Sequence, residues 1–405
     1  MTTSTPRWDR LVQLAQQEGA AGLAHPTTHQ QYTENGAWVR LPIDSTSGWT
    51  KDGSYDHGNW MAGFAPGVQW IVQLGTRPAG EVAAEQRQAL AEVARRQGDT
   101  TTHDLGFLFH PAFALGQQLG YLDAEDSRPG IEAARTLARR FRPGGGYIQA
   151  FGELDDPRAQ ATSTIDTMMN LPLLWWASES TGDLEMAKIA YRHAKKSAAL
   201  FRDDFSTYHL ATYDPATGEV LDRGTFQGAD KESCWTRGQA WAIAGYAWSY
   251  AVTGDEGFRE LSRRAWDYFD HRLPADGVAP WDFSDVESGT EDASASAIAA
   301  LGALILAETV ESGEAEALRA RANKVLDLLL EHAVRTDQDE EGILLRSCYS
   351  KPHGKGLDGA LPYGDFYFVL AVALADGVLP LSQITPQIDA RTLRDATDDD
   401  PRLGP

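Results

Sequence analysis

Little in this sequence points to a membrane, a disulfide scaffold or a nucleic acid. No run of 18 or more apolar residues occurs in the 405-residue chain, so no membrane-spanning helix is expected. Cysteine is scarce. Cys234 and Cys348 cannot build a disulfide framework, and their scarcity fits a reducing compartment. Basic residues are outnumbered, 36 against 58 acidic, giving a net charge of −22. A surface of that sign does not neutralise phosphates, which excludes nucleic acid as partner and argues against docking on anionic membranes. A polar stretch from Met1 to Arg10 lacks the basic-then-apolar pattern of a leader, so a cytoplasmic protein is expected. There is no P-loop, no GxGxxG after a strand, no HExxH, no GxSxG and no CxxC. The histidines show no metal-ligand spacing, so neither metal nor cofactor is expected.

What is present is helix. Glu81–Gln97, Ile131–Phe141, Leu184–Phe201, Gly257–Leu273 and Ser294–Glu311 carry apolar residues at three- and four-residue spacing among good helix formers. Strand alternation is scarce. A weak repeat runs through the middle of the chain. Trp175-Trp176-Ala177 leads to Thr181-Gly182-Asp183 and a second helix; Trp248 and Ala251 lead to Thr253-Gly254-Asp255 and another; a fainter copy passes through Ser312-Gly313-Glu314. Each unit reads as helix, glycine stop, acidic start, helix. Repeated helical hairpins make either an open solenoid or a closed toroid. The uneven spacing of Gly182, Gly254 and Gly313 favours a closed barrel whose long loops build a site. No composition break divides the chain, so one domain over 1–405 is expected, with frayed tails near 1–5 and 396–405.

Two aspartates stand in unusual settings. Asp104 lies in His103-Asp104-Leu105-Gly106-Phe107, and Asp166 in Ser163-Thr164-Ile165-Asp166-Thr167-Met168-Met169-Asn170. Both adjoin strongly apolar stretches, where an unpaired carboxylate is costly. For Asp104 the plain structural reading is a helix N-cap. For Asp166 the apolar surround predicts a raised pKa, as a general acid needs. Paired carboxylates of this kind serve sugar-cleaving enzymes. The 12 tryptophans fit that chemistry, since flat rings stack on sugar C–H faces. Further on, Trp235-Thr236-Arg237-Gly238-Gln239-Ala240-Trp241 brings rings and a cation together. Arg237 can grip a carboxylate through two hydrogen bonds, or sit in a structural ion pair within a Trp-rich core helix. Asp56-His57-Gly58-Asn59-Trp60, His209 and the cationic run Ser350-Lys351-Pro352-His353-Gly354-Lys355-Gly356 are further candidates.

Assembled, these segments resemble the unsaturated glucuronyl hydrolases of glycoside hydrolase family 88. The resemblance rests on residues 103–107, 163–170, Gln227, 235–241 and Tyr363-Gly364-Asp365-Phe366-Tyr367-Phe368, in that order, and spans about Trp60 to Leu370. It implies an (α/α)6 barrel and action on a small anionic unsaturated oligosaccharide, by a monomer or homodimer. It further implies that Asp166 protonates C4 of a 4,5-unsaturated uronic acid, with Asp104 as the second carboxylate and no cofactor. By matching position, His209, Gln227 and Arg237 would contact the uronate or the attacking water. Trp60, Trp235 and Trp241 would form aromatic walls, and His103 would buttress Asp104. The loop carrying Ser350 and Lys355 would read the neighbouring sugar. Two alternatives stay open here: a family-105-like hydrolase of unsaturated rhamnogalacturonan fragments, and a helical toroid that only binds sugars.

Overall fold

A computed structural model describes residues 5–23, 27–45, 48–49, 55–159, 161–310, 312–336 and 339–393. Apart from Thr5, the tails expected to fray lie outside these residues. The helices follow one another as α1 (Pro6–Leu23), α2 (Phe64–Val72), α3 (Ala84–Ala94) and α4 (Leu105–Phe109). A π turn, His110–Ala114, carries α4 into α5 (Leu115–Gln118). Then come α6 (Arg128–Ala138), α7 (Leu171–Thr181), α8 (Leu184–Ser197), α9 (Thr236–Thr253) and α10 (Glu256–Asp270). The series ends with α11 (Ala293–Thr309), α12 (Ser312–His332) and α13 (Pro362–Ala375).

Burial sorts these helices into two rings. In α11 every residue from Ala293 to Ala307 is buried, and in α9 every residue except Tyr250. A helix apolar on all sides needs cover on all sides, so it takes an inner position. By contrast α10 buries one stripe, Phe258, Ser262, Ala265, Trp266 and Phe269, and turns its charged residues outward. The inner ring closes: α2 packs on the π turn, α4 on α7, α7 on α9, α9 on α11, α11 on α13, and α13 back on α2. Outer helices α1, α3, α6, α8, α10 and α12 each precede an inner partner, which makes six hairpins and an (α/α)6 barrel.

The hairpin punctuation follows the sequence in two of three copies. Gly182 and Gly254 end α7 and α9 in the left-handed conformation, and the next residues, Asp183 and Asp255, cap α8 and α10 by accepting from Glu185 and Gly257 backbone N–H at 3.0 and 2.9 Å. In the third copy the expectation fails: Gly313 lies inside α12, and Val310 ends α11 in an extended conformation.

Short strands occupy the loops. β1 (Thr28–Glu34) pairs with β2 (Ala37–Pro42), β3 (Gly48–Trp49) with β4 (Tyr55–Asp56), and β5 (Phe141–Arg142) with β6 (Tyr147–Ile148), all antiparallel. β7 (Thr162–Thr164), β8 (Leu210–Tyr213) and β9 (Val220–Gly224) form a three-stranded antiparallel sheet in that order. Within the stretch 208–232, residues 210–213 and 220–224 are strands. This sheet matters for function because β7 runs straight into Asp166 and β8 starts just after His209.

One close approach sets the geometry between neighbouring inner helices. A Cβ added at Gly106, in the first turn of α4, would stand 2.3 Å from Asn170 Cα, at the start of α7. Asn170 Oδ1 accepts the Phe107 N–H at 2.9 Å across the same gap. Only glycine lets the two chain segments meet this closely. Gly106→Ala should therefore lower the unfolding free energy by about 1–3 kcal/mol, the usual cost of overpacking. Urea unfolding measures it, and an unchanged midpoint would remove the close approach from the account.

Candidate active site

Asp104 occupies the N-cap position of α4, yet its side chain makes no cap hydrogen bond. The N-cap expectation is overturned: the carboxylate turns inward to other partners. Thr102 donates to Oδ2 at 2.8 Å, and His57 Nδ1 lies 2.9 Å from the same oxygen. His103 Nε2 lies 3.3 Å from Oδ1. These donors outweigh burial and hold the Asp104 carboxyl well below the ordinary carboxylate range. Burial in turn pushes His103 down to about 4, with Asp104 opposing and His57 assisting. The His103 ring is thus neutral, with Nε2–H on Asp104 and Nδ1 facing Thr167 Oγ1 at 2.7 Å. Thr102 and His103 are themselves fixed from the 148–151 segment, where the Ala150 carbonyl accepts the His103 N–H at 2.8 Å and Thr102 bridges to Phe151.

Asp166 lies in a 3₁₀ turn, Ile165–Met169, and its side chain is 20% exposed. The sheet delivers its partner. Ile165 N–H donates to the His209 carbonyl at 2.9 Å, and His209 Nε2 stands 3.4 Å from Asp166 Oδ2. Backbone N–H of Phe226, just past β9, donates to His209 Nδ1 at 3.0 Å. A nitrogen that accepts a hydrogen bond carries no proton, so the neutral His209 ring bears its proton on Nε2, toward Asp166. The expected raised pKa of Asp166 is corrected here. Burial does push it up, and Asp104 adds to that, but His209 and then His103 prevail and the carboxyl sits below its ordinary value. The sequence showed the apolar neighbours and not the imidazole brought in by β8.

Around these acids the rings divide into a wall and a floor. Trp60 is half-buried, stacks on Tyr363 at 5.3 Å and 19°, and donates from Nε1 to Tyr349 Oη at 3.4 Å. Tyr349 stacks on Tyr32 of β1 at 5.5 Å. Phe226 is 40% exposed and meets Phe151 and His209 edge-on. Trp241 does not form a wall. It is 1% exposed beneath Phe107, Tyr363 and Tyr367, and belongs to the core. Trp235, also buried, sits against His209 at 4.9 Å between ring centroids. Gln227 is half-buried, and its Oε1 has no hydrogen-bond partner among the described residues.

For Arg237 the structure shows the ion pair, one of its two readings. Its guanidinium is buried over Trp235 and Tyr363, pairs with Asp292, and donates to the carbonyls of Cys348 and Tyr349 at 2.5 and 2.7 Å. It is first a tether: it holds the backbone that presents Tyr349, which leaves only its remaining N–H groups for a uronate. In the following loop, Ser350 Oγ contacts His353 Nδ1 at 2.7 Å, and backbone bonds between Ser350 and Lys355 close a small hairpin. Lys355 is exposed at its end, and Lys351 is held by Thr290 at 2.8 Å and Asp285 at 3.5 Å.

His57, in the candidate stretch 56–60 but with no role assigned to it there, lies 2.9 Å from Asp104 Oδ2. The one signal was its place between two motif residues, Asp56 and Trp60. His57, His103 and Asp104 also have the composition of a metal-ligand set, with donor atoms all within 4.8 Å of one another. Their donors and acceptors match each other, however, and His103 presents to Asp104 a proton rather than a lone pair. The arrangement can hold two carboxylates side by side, Asp104 with two imidazoles and Asp166 with one.

No protein-family profile matches the chain. It is 36% identical to an unsaturated glucuronyl hydrolase of Bacillus sp. strain GL1 over 325 residues, 78% of this chain and 86% of that one. It is 33% identical to an unsaturated chondroitin disaccharide hydrolase of Streptococcus pyogenes serotype M1 over 335 residues, 80% of this chain and 83% of that one. The crystal structure of the Bacillus sp. GL1 enzyme, described as responsible for the degradation of glycosaminoglycan, superposes with a TM-score of 0.82 at 30% identity, covering 90% of this chain and 96% of the other.

Two outcomes follow from this geometry. Arg237→Ala leaves Asp292 buried without its partner and should lower the unfolding free energy by about 3–5 kcal/mol; a wild-type urea midpoint in the variant would show that Arg237 tethers nothing. Asp104 has a depressed folded pKa, so its stabilisation is full above the unfolded value, roughly 4, and is lost as pH falls through the folded one. The stability gap between wild type and Asp104→Asn should therefore be widest near neutral pH and narrow steadily in acid. A gap of constant size at pH 3 and pH 6 would mean that Asp104 is not held as an anion.

Proposed function

The chain belongs to the unsaturated glucuronyl hydrolases, and on that premise we propose that it removes a 4,5-unsaturated uronic acid from the small anionic oligosaccharides released by polysaccharide lyases. One observation carries the reading. Asp104 and Asp166 stand at the starts of adjacent inner segments, joined across Gly106 and Asn170, with His57 and His103 on Asp104 and His209 on Asp166.

The chemistry is an addition of water across C4=C5. Asp166, once protonated, gives its proton to C4, and the π electrons of the double bond form the new C–H bond. Positive charge appears at C5 and is shared with the ring oxygen. Asp104, ionised and aimed from the neighbouring helix start, stabilises that charge electrostatically. Water adds at C5, and the proton it loses returns to the Asp166 carboxylate, which restores the acid. The resulting hemiketal opens and releases the partner sugar. A single group thus serves as acid and then as base. His209 turns Nε2–H toward Asp166 from 3.4 Å, and the Trp60, Tyr349 and Phe226 rings flank the sugar.

In the free protein Asp166 lies below its ordinary pKa, so it is ionised near neutral pH. Entry of a uronate changes that. A second anion beside it and the exclusion of water both favour the protonated form. Arming of the acid is therefore a consequence of substrate binding.

The hairpin of Ser350 and Lys355 borders the Tyr349 rim and supplies an exposed cation for the neighbouring sugar. Two buried, unpaired thiols, Cys234 and Cys348, support a cytoplasmic place of action. Action as a monomer or homodimer completes the reading.

Asp166→Asn should reduce turnover by at least ~10²-fold, the lower range for lost general acid catalysis, with thermal stability close to wild type. Loss of the ultraviolet absorbance of the conjugated substrate follows the reaction. Activity equal to wild type would take Asp166 out of the mechanism. In heavy water, deuterium should appear at C4 of the released keto sugar, and an unlabelled C4 would rule out hydration.

A further inference from the structure

Three carboxylates converge where the proposed substrate brings a fourth negative charge. Asp104 and Asp166 are described above, and exposed Asp56 lies at the end of β4, its Oδ1 accepting the Gly58 N–H at 2.8 Å. The cations nearby are already engaged. Arg237 is bound to Asp292 and two carbonyls. Arg140, fully buried, donates to the carbonyls of Gln149, Gly152 and Thr100. His103 is pushed down to about 4 and stays neutral, and His209 is fixed with an acceptor nitrogen toward a backbone N–H.

His57 differs from all of them. It sits on the connection between β4 and Trp60, and 27% of its side chain is exposed. Its Nδ1 faces Asp104 Oδ2 at 2.9 Å and Thr102 Oγ1 at 3.3 Å. Among the described residues nothing bonds its Nε2. Tyr55 and Phe151 pack on its ring edge-on at 5.3 and 6.1 Å, and the His103 ring lies 6.0 Å away. These contacts place Nδ1 on the acid, and Nε2 belongs to a partly exposed ring with no hydrogen-bond partner for that nitrogen among the described residues.

We propose that His57 is the charge-compensating cation of this site: as imidazolium it binds Asp104 through Nδ1–H and offers Nε2–H to the cleft, so that a uronate can enter among three carboxylates. This rests on the function proposed above. The groups facing His57 agree with the assignment. Burial disfavours its charge, but Asp104, then Asp166 and Asp56, outweigh burial and raise its pKa above the ordinary value. The cation is thus present below that raised pKa and is lost as pH climbs through it. Losing it leaves the acids uncompensated, and the effect falls on binding of an anion rather than on proton transfer to C4. His57 is a positioning and specificity residue, selecting a free carboxylate over its ester.

The test is a comparison of wild type and His57→Gln on an unsaturated disaccharide and on its uronate methyl ester, across pH 5 to 8. Glutamine retains a donor but carries no charge. For the acid, KM of the variant should rise by about 10-fold at the acid end, the scale of one charge-assisted hydrogen bond. Its kcat should stay within a few-fold of wild type, and KM for the ester should not move. Wild-type KM for the acid should climb with pH through the titration of the His57 ring followed by NMR, and the variant's should stay flat. The NMR titration and the wild-type KM profile need no variant, so they decide the matter even where His57→Gln folds poorly. Unchanged KM for the acid, equal losses on acid and ester, or a wild-type profile unrelated to the ring titration would each overturn the role of His57 while leaving the hydration reading intact. Absence of turnover by wild type on both substrates would overturn that reading, and this inference with it.

Discussion

Asp104 and Asp166 stand close enough for the charge of one to raise the proton affinity of the other. Two like charges at such a distance are costly unless each is stabilised separately. The protein meets this by giving each acid its own ring nitrogen and fixing the proton on that nitrogen from behind. The Phe226 N–H on His209 Nδ1 directs the opposite proton to Asp166. Thr167 Oγ1 beside His103 Nδ1 does the same for Asp104. Both supports come from residues that touch neither carboxylate, so the charge state of the pair is written into the surrounding backbone and hydroxyl groups.

The toroid explains why such supports are available. An inner helix is buried on all sides, so its body cannot carry polar groups cheaply, but its first turn opens onto the loops at one end of the barrel. Asp104 at the start of α4, Asp166 before α7, Trp235 before α9 and Asp292 before α11 all occupy such places. The Asp292–Arg237 pair then ties the start of α9 to the start of α11 and holds the 348–349 backbone, while the β7–β8–β9 sheet ties Asp166 to His209. The chemistry depends on these ties between helix starts far more than on the helices themselves.

Legibility in the sequence follows the range of the interactions concerned. Helices with a strong local period, such as α8 and α10, were readable to within a few residues because their pattern is carried by the segment alone. The two acids were readable because a carboxylate beside an apolar run conflicts with its neighbours. Gly313 misled because its residue type matched the punctuation of Gly182 and Gly254 while its backbone did not. The two active-site strands β8 and β9 were missed because each is short and gains its order from pairing, not from alternation. For the same reason the charge of Asp166 could not be read: its sign of shift is decided by His209, 43 positions away in sequence and brought to it by strand register. Arg237 illustrates the opposite case, where both the structural and the functional readings were visible and only the partner Asp292 could choose between them.

The depressed pKa of Asp166 in the free protein constrains how this site can work. An acid that must give up a proton starts without one near neutral pH, so binding has to restore it. A like charge placed within a few ångströms shifts a carboxyl upward, each pKa unit being worth about 1.4 kcal/mol. A uronate supplies that charge, and the ring that bears it also displaces water. The same anion, however, is repelled by the acids it must activate. A site with no compensating cation would bind it poorly; one with a strong, fixed cation on Asp166 would hold that acid ionised and idle. The cation therefore has to act on the other carboxylate. His57 meets this requirement, because it bonds Asp104 and reaches Asp166 only through space. Asymmetry between the two acids, one kept ionised by its partners and one left to respond to the substrate, is what lets a pair of identical side chains divide the work of stabilising charge and moving a proton.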